Sequence, residues 1–489
     1  MDWPDPALAH RLVQSYFENI HDAFPILDRR KFQVWYAHVK PGSMQQSDED
    51  IIWLGTLNII FAITSYHAQL TLAEHHRWHT DHLLYCARAK VLFLNDQILH
   101  QDARISTVCA LGLLALYHIA TCRMNWAWPV CGLAIRQALS LGLNVRSEAE
   151  ELTDGEKEHR VRIWWSLYSL ECLLNELTGR PSCISDTDIS TPLPINMDEV
   201  KFASGQPFYD QGADVGENVG GFSSQSSRRG SRTSKGTCLS QFPKDSSKPL
   251  IYQYPSARLL VTPSTYFIYR VQLSIISHEV LTNLYCASTI KVRWSVVQST
   301  ISRIDQRLLK WDSDLPDKFT MDADTCLQPE WNDIYFVPRI SLAILYNSSR
   351  MILFRPCLCR FEDRLNHQRD PSQDFNQKSV EECIKAARRM IALLSGPSTS
   401  LRKIYAIPSW WHTLHCLCQA LSILALEIAF RARHVPTEAG EIIEDAKRGV
   451  SWLSMMASRS ISARKAWEVF DKLIRLASPG IDYSPFDMP

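Results

Sequence analysis

The stretch from Gly132 to Pro194 restricts the fold of this chain more than any other. It reads as a helix rich in small residues, an acidic turn, and a long aromatic helix stopped by Gly179-Arg180-Pro181. Thr153 followed by Glu156 has capping-box spacing, in which each side chain satisfies a backbone donor at the other's position. Two overlapping apolar rows follow: Val161, Trp164, Trp165, Tyr168 and Cys172, and then Ile163, Leu167, Leu170, Leu174 and Leu177. They leave only a narrow polar strip, so this helix must be enclosed by neighbours. Each large side chain buried there stabilises the fold by about 1.5–3 kcal/mol. Gly179 supplies the left-handed residue that ends the helix, and Pro181 prevents its resumption. In the helix before it, Pro129 fits a first turn, where its missing N–H has no internal partner. Gly132, Ala134 and Ala138 thin one side of that helix so that a neighbour can approach, and Gly142 is its predicted stop.

An enclosed helix needs others around it, and the rest of the chain provides them. Leu8, Leu12, Tyr16 and Ile20 repeat at steps of four within a helix predicted over 5–24 and ended by Pro25. A short helix from Asp28 carries Phe32, Trp35 and Tyr36. Further helices are predicted over 51–66, 72–99 and 105–122, and then over 264–287, 292–311, 335–354, 378–394, 409–433, 438–456 and 462–477, with prolines between them. No alternating strand pattern occurs, so the fold class is all-α. At 489 residues the chain exceeds one ordinary core, which predicts two helical lobes, 1–200 and 261–489. Between them, 201–260 is rich in Ser and Gly and poor in large aliphatics, the composition of a disordered insert. Its Arg228, Arg229, Arg232 and Lys235 fit a nuclear import or phosphorylation region, although a solvated linker is the favoured reading.

Charge and cysteine use narrow the function. Lys+Arg and Asp+Glu are both 52, which removes the simplest argument for a DNA-gripping surface. The 14 cysteines form no disulfide framework, and several sit in apolar helical runs, as expected in cytosol or nucleus. The most membrane-like stretch, 414–430, contains His415, Gln419 and Glu427 and reads as a buried helix, so no membrane partner is expected.

Among candidate sites, His75, His79 and His82 share one helical face and are the metal candidate, weaker than the reading of a solvated polar helix start. The pairs Cys357/Cys359 and Cys416/Cys418 lack zinc-knuckle spacing, and no Walker, GxGxxG or GxSxG motif is present. Ser47-Asp48-Glu49-Asp50 serves helix initiation better than magnesium binding. No catalytic residue, cofactor-binding residue or cofactor is therefore assigned. Arg180 is either exposed or paired with Glu171 or Glu176.

The order of these features resembles the fungal-specific transcription factor domain, the middle homology region of fungal zinc-cluster regulators. The matching residues are Tyr16-Phe17, His21 and Phe24-Pro25-Ile26-Leu27, then Gly132 to Ala138 with Arg136, and Leu141-Gly142-Leu143. The last block is Glu158, Arg160, Arg162, Trp164-Trp165, Tyr168, Gly179-Arg180-Pro181, Ile184, Asp186, Asp188-Ile189 and Pro192-Leu193-Pro194. The resemblance implies a non-enzymatic nuclear regulator of RNA polymerase II genes that acts with transcriptional machinery or regulatory proteins. It also admits a small-molecule effector and a dimer. DNA contact and zinc belong, in the family, to a separate N-terminal cluster of six cysteines, whereas the first cysteine here is Cys86. The expectation is a truncated gene product, or a stand-alone domain that reaches DNA through a partner. The alternatives are a sensor or all-α enzyme with an inter-helical pocket, and a pure interaction module.

Overall fold

A computed structural model of the chain describes residues 4–39, 47–71, 81–94, 102–197, 261–320, 333–359, 371–394, 400–407 and 410–477. Among these residues every regular element is helical and none is a strand. Before the insert come α1 (Pro6–Asn19), α2 (Arg29–His38), α3 (Asp48–Thr71), α4 (Asp81–Phe93), α5 (Ile105–Ala120), α6 (Met124–Ser140) and α7 (Asp154–Thr178). After it come α8 (Pro263–Leu284), α9 (Trp294–Ser313), α10 (Phe336–Leu358), α11 (Pro371–Leu394), α12 (Leu401–Tyr405), α13 (Trp410–Ala429), α14 (Ala439–Ala457) and α15 (Ile461–Ala477). The segment expected to be disordered lies outside the described residues.

Helix α7 has the limits its caps predict. The Thr153 hydroxyl accepts from the Glu156 N–H at 3.3 Å, the Glu156 carboxylate accepts from the Thr153 N–H at 3.2 Å, and Gly179 closes the helix at φ 66°. Trp164, Trp165, Leu167, Leu170 and Leu174 are fully buried, and α5, α6 and α8 all pack against the helix. α8 in turn packs on α9, on α10 and on the short turn His21–Ala23. α13 touches α5, α10, α11, α14 and α15, and α12 leans on α3. Buried apolar side chains from both sides of the insert form one continuous core. α3 and α13 have the length and apolar composition to cross a bilayer, and both are mostly buried in this core.

Several helix limits and glycine or proline roles differ from the sequence reading. α6 begins at Met124, so Pro129 lies beyond the first turn and leaves the Asn125 carbonyl without its usual i+4 donor. Gly132 makes room for a side chain of its own helix: an added Cβ would stand 3.1 Å from Arg136 Nη1, which donates to the Gly132 carbonyl at 3.2 Å. α10 runs past Pro356 to Leu358. The Ile352 carbonyl, which the proline cannot serve, accepts instead from the Tyr285 hydroxyl at 2.6 Å. Finally, α12 was not predicted, because five residues are too few to show helical periodicity.

Candidate functional site at the end of the central helix

The first turns of α7 carry a closed polar network. Arg162 Nε donates to Glu158 Oε1 at 2.9 Å, and both side chains are buried. Arg162 Nη2 donates to the Ser264 hydroxyl at 2.8 Å and to the carbonyls of Met197 at 3.1 Å and Ile195 at 3.4 Å. Glu158 Oε1 also accepts from the Ile195 N–H at 3.0 Å. A buried ion pair withstands desolvation when its remaining valences are filled in this way. Alongside, Asn196 Oδ1 accepts from the hydroxyls of Thr262 at 2.6 Å and Thr265 at 2.7 Å, and Ser264 donates to the Met197 carbonyl at 2.5 Å.

Half-way along α7 the Tyr168 hydroxyl donates to Asp186 at 2.9 Å and stands 3.0 Å from His278 Nδ1 on α8, while His278 meets Asp186 at 3.2 Å. Burial alone would raise Asp186. The hydrogen bond and charge of His278, with lesser help from Tyr168 and Arg307, bring its carboxyl below the ordinary value. Trp165 Nε1 donates to the Pro192 carbonyl at 2.7 Å, which fastens the strap after α7 to the helix.

The far end of α7 is different. Glu176 accepts from the Ser348 hydroxyl of α10 at 2.5 Å and lies 3.6 Å from His412 Nε2 of α13. Ser348 also bonds Gln419 at 2.8 Å. His412 stacks on His415 at 5.3 Å between ring centres, and its Nδ1 is 3.5 Å from Cys416 Sγ. Burial pushes the Glu176 carboxyl up to about 7, against the Ser348 hydrogen bond and the Arg355 charge. Burial, and then the charge of Arg355, lowers His415 to about 4. Burial, His415 and Arg270 hold His412 well below its ordinary value, so both imidazoles are neutral at physiological pH. Next to the cluster is a cavity of about 440 Å³, whose walls include Glu176, His415, Gln419, Asn175, Tyr285 and Arg355. Several buried atoms at this end have no hydrogen-bond partner: His412 Nε2, Glu171 Oε2, and both side-chain atoms of Asn175.

The residues singled out in the sequence fall as follows. His75 and His79 lie outside the described residues. His82 is buried, 2.9 Å from the Tyr117 hydroxyl, with its ring tilted at 53° to that of Tyr66. Gly142 and Gly179 both have φ 66°, and Pro181 is exposed just beyond α7. Arg180 pairs with neither Glu171 nor Glu176: it donates to Asn125 Oδ1 at 2.6 Å and covers the Trp128 ring at 5.1 Å. Every described cysteine is a free thiol. Sequence reasoning missed the cluster of Glu176, His412 and His415, because Glu176 lies far from the two histidines in the chain. The only local sign was a pair of histidines three apart on one helix.

These features define an all-helical domain in which polar side chains fasten helices to one another and one inter-helical cavity keeps open valences. The chain belongs to the family of the fungal specific transcription factor domain, whose sequence profile matches residues 13–313. That span continues past the motif ending at Pro194, through α8 and α9. Among relatives, the transcription regulator galc of Aspergillus niger is 27% identical over 99% of this chain and 60% of its own length. The lactose regulatory protein LAC9 of Kluyveromyces lactis is 27% identical over 52% of this chain and 26% of its own. Protein STB5 of Saccharomyces cerevisiae is 29% identical over 39% of this chain and 26% of its own. The chain thus spans 60% of the length of galc and about a quarter of that of LAC9 and STB5.

Proposed function

We propose that this chain is the regulatory part of a nuclear transcription regulator acting on RNA polymerase II genes, and that DNA is contacted by a separate module or by a partner. Its own partners are then transcriptional or regulatory proteins, and a dimer belongs to the same proposal. Residues 1–200 and 261–489 act as two lobes of one regulatory unit joined through 201–260. The observation that carries this reading is the family match, whose motif residues serve packing and clamping: Arg162, Trp165 and Tyr168 each bond across to another element. The role in this reading is non-enzymatic: Cys416 stands beside His412, but burial holds its thiol well above the ordinary value and the imidazole well below, which leaves neither group activated. Fusing the full chain to a heterologous DNA-binding domain tests it in a fungal reporter. A change in output relative to the DNA-binding domain alone is expected, and identical output overturns the reading. Nanomolar operator binding by the purified chain at physiological salt would contradict the division of labour.

The cavity supports a refinement in which a small molecule sets the regulatory state. Its walls combine apolar surface with Glu176, Arg355 and Gln419, the mixture that orients a ligand. A thermal-shift screen checks this, since a ligand at 100 times its dissociation constant adds about 2.7 kcal/mol.

A further inference from the structure

We propose that Glu176, His412 and His415 form a binding site for a transition-metal ion of the zinc class, with one coordination position open to the neighbouring cavity. The site joins the last turns of α7 to the first turns of α13, and the three ligating atoms lie within 4.8 Å of one another. Two ligands of a tetrahedral ion at 2.0–2.2 Å stand about 3.4 Å apart. The separation between His412 Nε2 and Glu176 Oε1 is 3.6 Å, which is too long for a hydrogen bond and close to that spacing. His415, stacked on His412 one turn further along α13, offers the third ligand atom.

The surroundings agree with this assignment. His412 is 1% exposed, its Nδ1 faces Cys416, and its Nε2 has no hydrogen-bond partner although it points at a carboxylate. Ser348 donates to Oε1, the same carboxylate oxygen that faces His412, and so fixes its position as outer-shell partners of ligating groups do. Two imidazoles and one carboxylate favour zinc-class ions over magnesium or calcium, which prefer oxygen donors throughout. Arg355 at the cavity and Arg270 behind His412 oppose any cation, so a hard ion held mainly by charge is further disfavoured. Glu176 and His415 also line the 440 Å³ cavity, so the fourth position faces a space that can hold water or a donor atom of a small molecule. The site does not depend on the regulatory reading and stands or falls separately from it.

The test is titration of the full chain with Zn²⁺ in a non-coordinating buffer, followed by substitution with Co²⁺. The expected result is one tight equivalent, a rise in melting temperature, and a cobalt spectrum of nitrogen and oxygen donors without a thiolate charge-transfer band. Affinity should fall at least tenfold in His412→Asn and in Glu176→Gln, with helicity by circular dichroism showing that each variant is folded. The double variant His75→Asn/His79→Asn should keep the equivalent. Loss of binding in that double variant, a thiolate band, no tight equivalent, or unchanged affinity in folded Glu176→Gln would each overturn the assignment.

Discussion

The two ends of α7 use similar side chains for opposite purposes. At its start, Glu158 and Arg162 fill each other's valences and those of the chain on both sides of the insert. At its finish, Asn175 leaves both polar side-chain atoms unfilled on the wall of a cavity, and His412 Nε2 is unfilled next to Glu176 of the same wall. A satisfied network makes a single arrangement rigid, whereas a buried polar atom without a partner is a cost that a bound group can relieve. The first end therefore reads as the part that holds the fold, and the second as the part left able to respond.

The largest test of this contrast is Arg162→Ala, which strands a buried Glu158 and is predicted to cost about 3–5 kcal/mol in urea unfolding. A loss under about 1 kcal/mol would erase the distinction between the two ends. The middle of the helix gives a pH signature. Because Asp186 titrates below its ordinary value of 3.8 in the folded protein, its stabilisation is present above that value and lost as pH falls through the folded value. Thermal melts should therefore show wild type losing its advantage over Asp186→Asn in that acid range, and a constant difference would contradict the Tyr168–Asp186–His278 arrangement.

Smaller effects sharpen the picture of the open end. Tyr285→Phe leaves the Ile352 carbonyl without a partner, at a predicted cost of about 1–3 kcal/mol in denaturant melts. Gly179→Ala meets no neighbouring atom, so its penalty is left-handed strain alone, about 1–2 kcal/mol. Glu176→Gln should be the mildest, within about 1 kcal/mol of wild type in metal-free buffer. A loss as large as that of Arg162→Ala would show that both ends of the helix carry the fold equally.

Much of this was legible in the chain itself. Thr153, Glu156 and Gly179 fix α7 because capping and left-handed termination are local chemistry. The enclosed position of Trp164 and Trp165 followed from two apolar rows sharing one helix. Arg162 could be placed in the family motif, but its partner Ser264 lies beyond the insert, and no local pattern joins them. The same separation hid Glu176 from His412. Pro356 misled for another reason: a proline ends a helix only if the carbonyl it abandons finds no other donor, and Tyr285 supplies one from a different helix. For Arg180 the sequence leaves open exposure or a pair with Glu171 or Glu176; Trp128 and Asn125 instead hold it near the surface.

The staple between residues 195–197 and 262–265 has a consequence for how this chain can change over time. The described residues on the two sides of the insert meet at one spot, where Asn196 grips Thr262 and Thr265 while Ser264 grips Met197. Closing a flexible loop between fixed ends costs only about 0.6 kcal/mol more for each doubling of its length. The fold thus offers a grafting point: stretches of very different length and composition can be exchanged there while α7 and α8 keep their register. Descendants of one scaffold could acquire new recognition sequences at that point with little thermodynamic penalty to the core.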